Sequence, residues 1–352
     1  MSKIKVLIID DSVLTRTVLK NIILSDPDFI VIGEASNPYE ARKYVKEGKP
    51  DVITLDVEMP KMDGITFLEK LMDKYPTPVI MVSSLTDKHS KITMKALELG
   101  AIDFIKKPSA PIELHSLKNE IIEKLKMAVK AKILPQKTLD SKFKTGLKEK
   151  IDVDEYIKDY KTKIIKTDPV IVIGASTGGT VAIETIFKRL KTGVKPIIVT
   201  QHMPVGFTKA FAERLNSTCP IRVKEAENGD KLEQGLALIA PGGKHMLLQR
   251  SGTTYYVEVK DGPPINRHKP SVDVLFKSAA NSAGSNAIAA ILTGMGDDGA
   301  KGMLALKEKG AFTIAQDEES CVVFGMPKEA IKLNAVKKIV PLLKIPFILN
   351  EI

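Results

Sequence analysis

The chain of 352 residues is long enough for two or three domains at roughly 150 residues each, which excludes a miniprotein. With 43% hydrophobic and 27% charged residues it is neither disordered nor collagen-like, and its two cysteines, Cys219 and Cys321, exclude a disulfide framework or a four-thiolate zinc site. The net charge of +10 invites a nucleic-acid reading, yet residues 1–129 carry 19 basic and 19 acidic side chains, residues 130–166 carry 11 lysines against 6 acids, and residues 167–352 carry 23 against 18.

No apolar run reaches the roughly 18 residues that span a bilayer, and MSKIKVLIID leads into a strand rather than a signal-peptide core. A soluble, cytoplasmic protein is expected, with no membrane insertion and no nucleic acid as partner.

Five apolar runs recur about every 20–25 residues: Val6–Ile9, Ile30–Gly33, Val52–Leu55, Val79–Val82 and Asp103–Ile105. Helix-period segments such as Ile65–Tyr75 and Ile92–Leu99 lie between them. Apolar strands alternating with helices predict a parallel sheet covered on both faces, a doubly wound α/β domain. Ligands of such sheets bind at the carboxyl ends of the strands.

Those ends hold Asp10 and Asp11, Asp56, Ser83 and Lys107. Three carboxylates converging there repel one another unless a divalent cation sits among them, and hard oxygen ligands suit Mg²⁺. Asp56 can then act as nucleophile toward a phosphoryl group whose oxygens Ser83 and Lys107 hold. An Asp at a strand end is also often only a helix N-cap; all five residues together at the expected positions favour the site.

Residues 1–125 resemble a two-component receiver domain, on the pair Asp10-Asp11, the run LDVEMPKMDG, MVSS ending in Ser83-Ser84, and DFIKKP ending in Lys107-Pro108. The resemblance implies a flavodoxin-like five-stranded sheet. It also implies Mg²⁺ held by Asp11, Asp56 and the Glu58 carbonyl with support from Asp10, and phosphorylation of Asp56 by a histidine kinase. It further implies a cis bond before Pro108. Phe104 stands where the family commonly has an aromatic switch residue, though a plain strand hydrophobe fits the pattern equally.

Residues 126–167 read as a lysine-rich solvated linker. Beyond it lie further strand-then-helix units, PVIVIGAS, KPIIVTQHM, GLALIAPGG and NAIAAILTGMGDDG, which predict a second doubly wound, mostly parallel sheet over 168–352. The first contains Gly174-Ala175-Ser176-Thr177-Gly178-Gly179, formally G-x-S-x-G, which exposes a serine on a tight strand-to-helix turn. A glycine-rich turn of this kind equally cradles a phosphate.

The other strand ends favour the nucleophile. Ile197–Thr200 runs into Gln201-His202, and Ala287–Leu292 into Thr293-Gly294-Met295-Gly296-Asp297-Asp298. His202 would take the Ser176 proton and a buried acid would orient the imidazole. Backbone N–H groups near Thr177, Gly178 and Met295 would hold the oxyanion. His245 is a credible substitute for His202, and spacing does not choose between Asp297 and Asp298.

The second half resembles the catalytic domain of the chemotaxis protein-glutamate methylesterases of the CheB type, on GASTGG, QHMP, APGGKHM, KPSVDVLF, ILTGMGDDGA and SCVVFGMP. The resemblance implies hydrolysis of glutamate γ-methyl esters on methyl-accepting chemoreceptors with release of methanol, and deamidation of receptor glutamines. It places the catalytic acid on Asp298 and implies that the unphosphorylated receiver blocks the Ser176 face until Asp56 is phosphorylated. No cofactor is expected in the catalytic half, and a monomer is expected. The competing readings are a nucleic-acid regulator, for which only the basic linker speaks, and a non-catalytic scaffold, which would not need Ser176, His202 and Asp298 together.

Overall fold

The computed structural model describes residues 3–60, 62–84, 87–108, 110–133 and 169–351. The chain divides into two compact units, Met1–Thr138 and Leu139–Ile352. Of the linker expected over 126–167, residues 134–167 lie outside the described residues. No described helix is long and apolar enough to cross a membrane.

In the first unit the strands are β1 (Ile4–Ile9), β2 (Phe29–Ala35), β3 (Val52–Asp56), β4 (Val79–Ser84) and β5 (Asp103–Lys107). The helices are α1 (Val13–Leu24), α2 (Pro38–Lys43), α3 (Gly64–Lys74), α4 (Asp87–Glu98) and α5 (Lys118–Lys130). All strand pairs are parallel, in the order β2-β1-β3-β4-β5. Val6 through Ile9 are fully buried, as expected of a strand covered on both faces. Ser12 starts α1 by accepting the Thr15 N–H, so the loop after β1 stays short and holds Asp10 and Asp11 at the sheet's edge. The helix α5 continues past the boundary expected at residue 125, because Met127 and Ala128 are still buried against the unit. The one cis peptide bond among the described residues precedes Pro270 rather than Pro108. An X-Pro bond favours trans by only about 0.5–1 kcal/mol, so a lysine-proline pair does not disclose its isomer.

The second unit has β6 (Val170–Ala175), α6 (Gly179–Phe187), β7 (Ile197–Gln201), α7 (Phe207–Thr218), β8 (Arg222–Glu225) and β9 (Leu236–Ile239). Then come β10 (His245–Ser251), β11 (Thr254–Lys260), α8 (Val272–Ser282), β12 (Ala287–Ile291), α9 (Ala300–Glu308), β13 (Phe312–Gln316), α10 (Met326–Lys332), β14 (Lys338–Val340) and α11 (Ile345–Glu351). Seven strands form a parallel sheet in the order β14-β13-β12-β6-β7-β9-β8, and β10 and β11 form a separate antiparallel hairpin. Met246, Leu248, Tyr255 and Val257 of the hairpin join Leu275 and Phe276 of α8 in one buried core.

Each sheet reverses its strand order once. The chain moves outward from β1 to β2 and returns to β3; it moves from β6 to β7 and out to the edge strand β8, comes back to β9 between β7 and β8, then crosses to β12 on the other side of β6. Crevices open at such switch points, at the carboxyl ends of the strands. They fall beside Asp10 and Asp56 in the first unit and beside Ser176 in the second.

Candidate active site and phosphoacceptor site

The register of β6 and β7 pairs Ala175 with Gln201, so Ser176 and His202 leave adjacent strands side by side. The His202 amide donates to the Ala175 carbonyl at 3.1 Å. Gly178 has a φ of 77° and leads directly into α6, a left-handed conformation that glycine adopts without strain. The backbone of Ser176 is held from both sides: its N–H donates to the Thr293 carbonyl at 3.0 Å, and the Gln201 side-chain amide donates to its carbonyl at 2.8 Å. The Ser176 side chain itself is half-buried in the crevice.

His202 lies 2.8 Å through Nε2 from Oδ2 of Asp298, and the two side chains are 7% and 1% exposed. Asp298 Oδ2 also accepts the Val272 N–H at 2.6 Å. Its Oδ1 accepts from Ser271 Oγ at 2.8 Å, Asn266 Nδ2 at 2.8 Å and the Asp273 N–H at 3.2 Å. The carboxylate thus sits on the N-terminus of α8, where free N–H groups and the helix dipole favour an anion. Burial by itself would raise its pKa. The hydrogen bond and charge of His202, with Asn266 and the Val272 N–H, outweigh that and hold the carboxyl well below the usual range. Asp297, the alternative acid, is exposed.

The other nitrogen of His202, Nδ1, is buried and has no hydrogen-bond partner. Asp298 therefore occupies the Nε2 edge and leaves Nδ1 unengaged, whereas in the familiar Ser-His-Asp proteases the acid holds the Nδ1 edge. His245 does not offer the same chemistry. It is buried, its Nε2 is 2.9 Å from the Pro263 carbonyl and its Nδ1 accepts the Ser271 N–H at 3.2 Å, so both ring nitrogens are engaged.

Of the candidate oxyanion donors, Thr177 is buried with its carbonyl accepting from Thr293 Oγ1, Gly178 opens α6, and Met295 is half-buried. Met295 follows Gly294, which packs directly on the Ser176 turn. A Cβ added at Gly294 would stand 2.7 Å from Ser176 Cβ and would also meet Met326 Sδ. Gly294→Ala is expected to destabilise the protein by about 1–3 kcal/mol through overpacking, read as a lower denaturation midpoint.

In the first unit, carboxylate oxygens of Asp10, Asp11 and Asp56 lie within 4.8 Å of one another. Lys107 Nζ bridges Asp10 and Asp56 at 2.9 and 2.8 Å. Burial and then the Asp10 charge push the Asp56 carboxyl up to about 6, against the pull of Lys107. That repulsion, among hard oxygen donors, is what a divalent cation relieves, so the residues fit Mg²⁺. The exposed Glu58 places its backbone beside Asp56, its N–H donating to Asp56 Oδ1 at 3.4 Å. The buried Ser83 hydroxyl accepts from Thr93 of α4 at 2.9 Å. Phe104 is 4% exposed, with the Lys124 ammonium 5.4 Å from its ring centroid.

The family model for CheB methylesterase matches residues 171–349, and that for the response regulator receiver domain matches residues 6–119. The chain belongs to the CheB methylesterase family. It is similar to "protein-glutamate methylesterase/protein-glutamine glutaminase 1" of Geobacter metallireducens, with 52% identity over 97% of this chain and 94% of the relative. The protein-glutamate methylesterase/protein-glutamine glutaminase of Salmonella typhimurium is 51% identical over 97% of this chain and 95% of its own. The crystal structure of the Thermotoga maritima CheB methylesterase catalytic domain is 42% identical, with a TM-score of 0.51, and covers 53% of this chain and 98% of that one. As a CheB methylesterase the chain is a carboxylic-ester hydrolase with a receiver domain ahead of the hydrolase unit.

Around the CheB-type crevice the structure adds residues that sequence reasoning passed over. Gln201 pins the Ser176 backbone, and Asn266 and Ser271 hold Asp298. Ser271 carries a readable signal, since a serine directly before an apolar helical run is an N-cap pattern and it does accept the Val274 N–H. Asn266 carries none, because its contact spans more than thirty positions of chain.

Proposed function

We propose that this chain hydrolyses γ-methyl esters of glutamate on methyl-accepting chemoreceptors and deamidates receptor glutamines. The observation that carries the reading is the buried His202–Asp298 pair at 2.8 Å beside Ser176, with His202 Nδ1 unengaged. Ser176 Oγ attacks the side-chain carbonyl carbon as its proton passes to His202 Nδ1, and Asp298 stabilises the imidazolium. Backbone N–H groups at Thr177, Gly178 and Met295 receive the oxyanion. The tetrahedral adduct collapses as His202 returns the proton to the leaving methoxide or amide nitrogen, releasing methanol or ammonia. Water, deprotonated by His202, then splits the acyl-enzyme and restores Ser176.

The domain limits are a receiver from residue 1 through the end of α5, a linker to residue 167, and a catalytic domain over 168–352. A histidine kinase phosphorylates Asp56: a carboxylate oxygen attacks the phosphorus as the bond to the kinase histidine breaks, and Lys107 and Ser83 hold the phosphoryl oxygens. Asp11, Asp56 and the Glu58 carbonyl, supported by Asp10, would hold Mg²⁺, which when bound offsets phosphoryl charge.

Phosphorylation and ester hydrolysis on one chain are coupled by a population shift. A small phosphodonor such as acetyl phosphate is expected to raise methanol release from methylated receptors, and Asp56→Asn to abolish that response while keeping the basal rate. Equal rates with and without phosphodonor in the parent chain would remove this regulation.

A further inference from the structure

One contact at the crevice involves no atom that reacts with the ester. The imidazoles of His202 and His268 are stacked, with ring centroids 3.7 Å apart and planes 9° from parallel. His268 comes from the segment 261–271 between β11 and α8, which also delivers Asn266 and Ser271 to Asp298. The segment is built to hold its shape. Asn266 and Arg267 have left-handed backbone, φ 50° and 70°, a conformation that non-glycine residues keep only where surrounding contacts over-determine it. Ile265 and His268 exchange both backbone hydrogen bonds, at 3.0 and 2.9 Å, and the Lys269 carbonyl accepts the Gly243 N–H at 3.2 Å. The half-buried His268 ring is therefore presented on a fixed frame.

The shape of an imidazole explains why His202 needs a fixed face as well as a fixed edge. Nε2 lies close to the line of the Cβ–Cγ bond, so rotation of the ring about that bond moves Nε2 little and leaves its hydrogen bond to Asp298 intact. Nδ1 lies well off that line and swings with the rotation. The side-chain torsion concerned is broad in histidine, without sharp staggered wells. The Asp298 bond thus sets how far the ring reaches but only weakly where Nδ1 points. A parallel ring at 3.7 Å does set it, because rotation would drive one ring edge into the neighbouring face.

We propose that His268 is a positioning residue whose flat face fixes the rotation of the His202 imidazole, so that Nδ1 meets the Ser176 hydroxyl. This rests on the reading of Ser176, His202 and Asp298 as the reacting set. His268 transfers no proton in this role; its planarity is what acts.

The test uses the full chain with methylated receptors as substrate. His268→Phe keeps a flat ring and is expected to retain the parental kcat. His268→Leu is expected to lower kcat by about 100-fold with KM unchanged, the scale of a misplaced reacting group. An independent readout is spectroscopic: ring current from His268 shields the Cε1 proton of His202, which should resonate upfield in the parent and in the Phe chain and move downfield in the Leu chain. A Leu chain with parental kcat, a Phe chain as impaired as Leu, or an unshielded His202 proton in the parent each overturns the proposal. Ester hydrolysis that persists in Ser176→Ala removes the reacting set itself, and is told apart by leaving the ring-current shift in place.

Discussion

Ser176→Ala is expected to lower methanol release from methylated receptors by about 10⁴-fold or more, the scale seen when the nucleophile of a serine hydrolase is removed. The loss should appear in kcat, because in the proposed reaction the hydroxyl forms a bond and contributes little to ground-state binding. Folding should survive. The Ser176 backbone is held by Thr293 and by the Gln201 amide rather than through its own side chain, and alanine suits the half-buried position. Phosphorylation of Asp56 from a small phosphodonor should be unchanged in this variant, which separates loss of chemistry from loss of structure. Activity retained in Ser176→Ala would move the nucleophile elsewhere in the crevice.

Asp298→Asn is expected to lower kcat by about 10⁴-fold, as tautomer errors do in Ser-His-Asp systems. The carboxylate accepts from five donors: His202 Nε2, Asn266, Ser271 and the Val272 and Asp273 N–H groups. An asparagine must turn its NH₂ toward one of these two sets. Facing His202 and the Val272 N–H, it draws the imidazole into the tautomer with Nε2 as acceptor and Nδ1 protonated, so the atom that should take the serine proton is already occupied. Facing Ser271, Asn266 and the Asp273 N–H, it sets donors against a donor in a buried site, at about 1–3 kcal/mol for each group left unsatisfied.

A stability measurement across pH checks the same residue. The folded Asp298 carboxyl ionises below its ordinary value. Its stabilisation is therefore complete above the usual aspartate range and is lost as the pH falls from about 4 toward the folded-state value. The gap in unfolding free energy between parent and Asp298→Asn should narrow over that acidic window. A gap independent of pH would mean that the carboxylate carries no such linkage.

Much of both crevices is legible in one dimension. Val6–Ile9 and Val170–Ile173 read as strands because strands buried on both faces are apolar throughout, and both are fully buried. Where such strands end, a polar residue is conspicuous, so Asp10, Asp56, Lys107, Ser176 and His202 could be picked out before any contact was known. Other elements left weaker traces. The β10–β11 hairpin is less legible, although Met246, Leu248, Tyr255 and Val257 alternate into the core, since its half-polar strands lack the continuous apolar run that marks the strands of the parallel sheet.

By itself the sequence determined two doubly wound sheets and which side chains stand at their carboxyl ends, because burial and chain direction are local properties written residue by residue. The tertiary structure alone decided the partners. It set Asp298 rather than the exposed Asp297 on the N-terminus of α8, engaged both nitrogens of His245, gave Asp298 the Nε2 edge of His202, and laid His268 on the face of that ring. Each of these rests on groups far apart in the chain meeting within hydrogen-bond or ring-contact distance. Such meetings depend on how helices and loops pack across the sheet, and no spacing along the sequence records them.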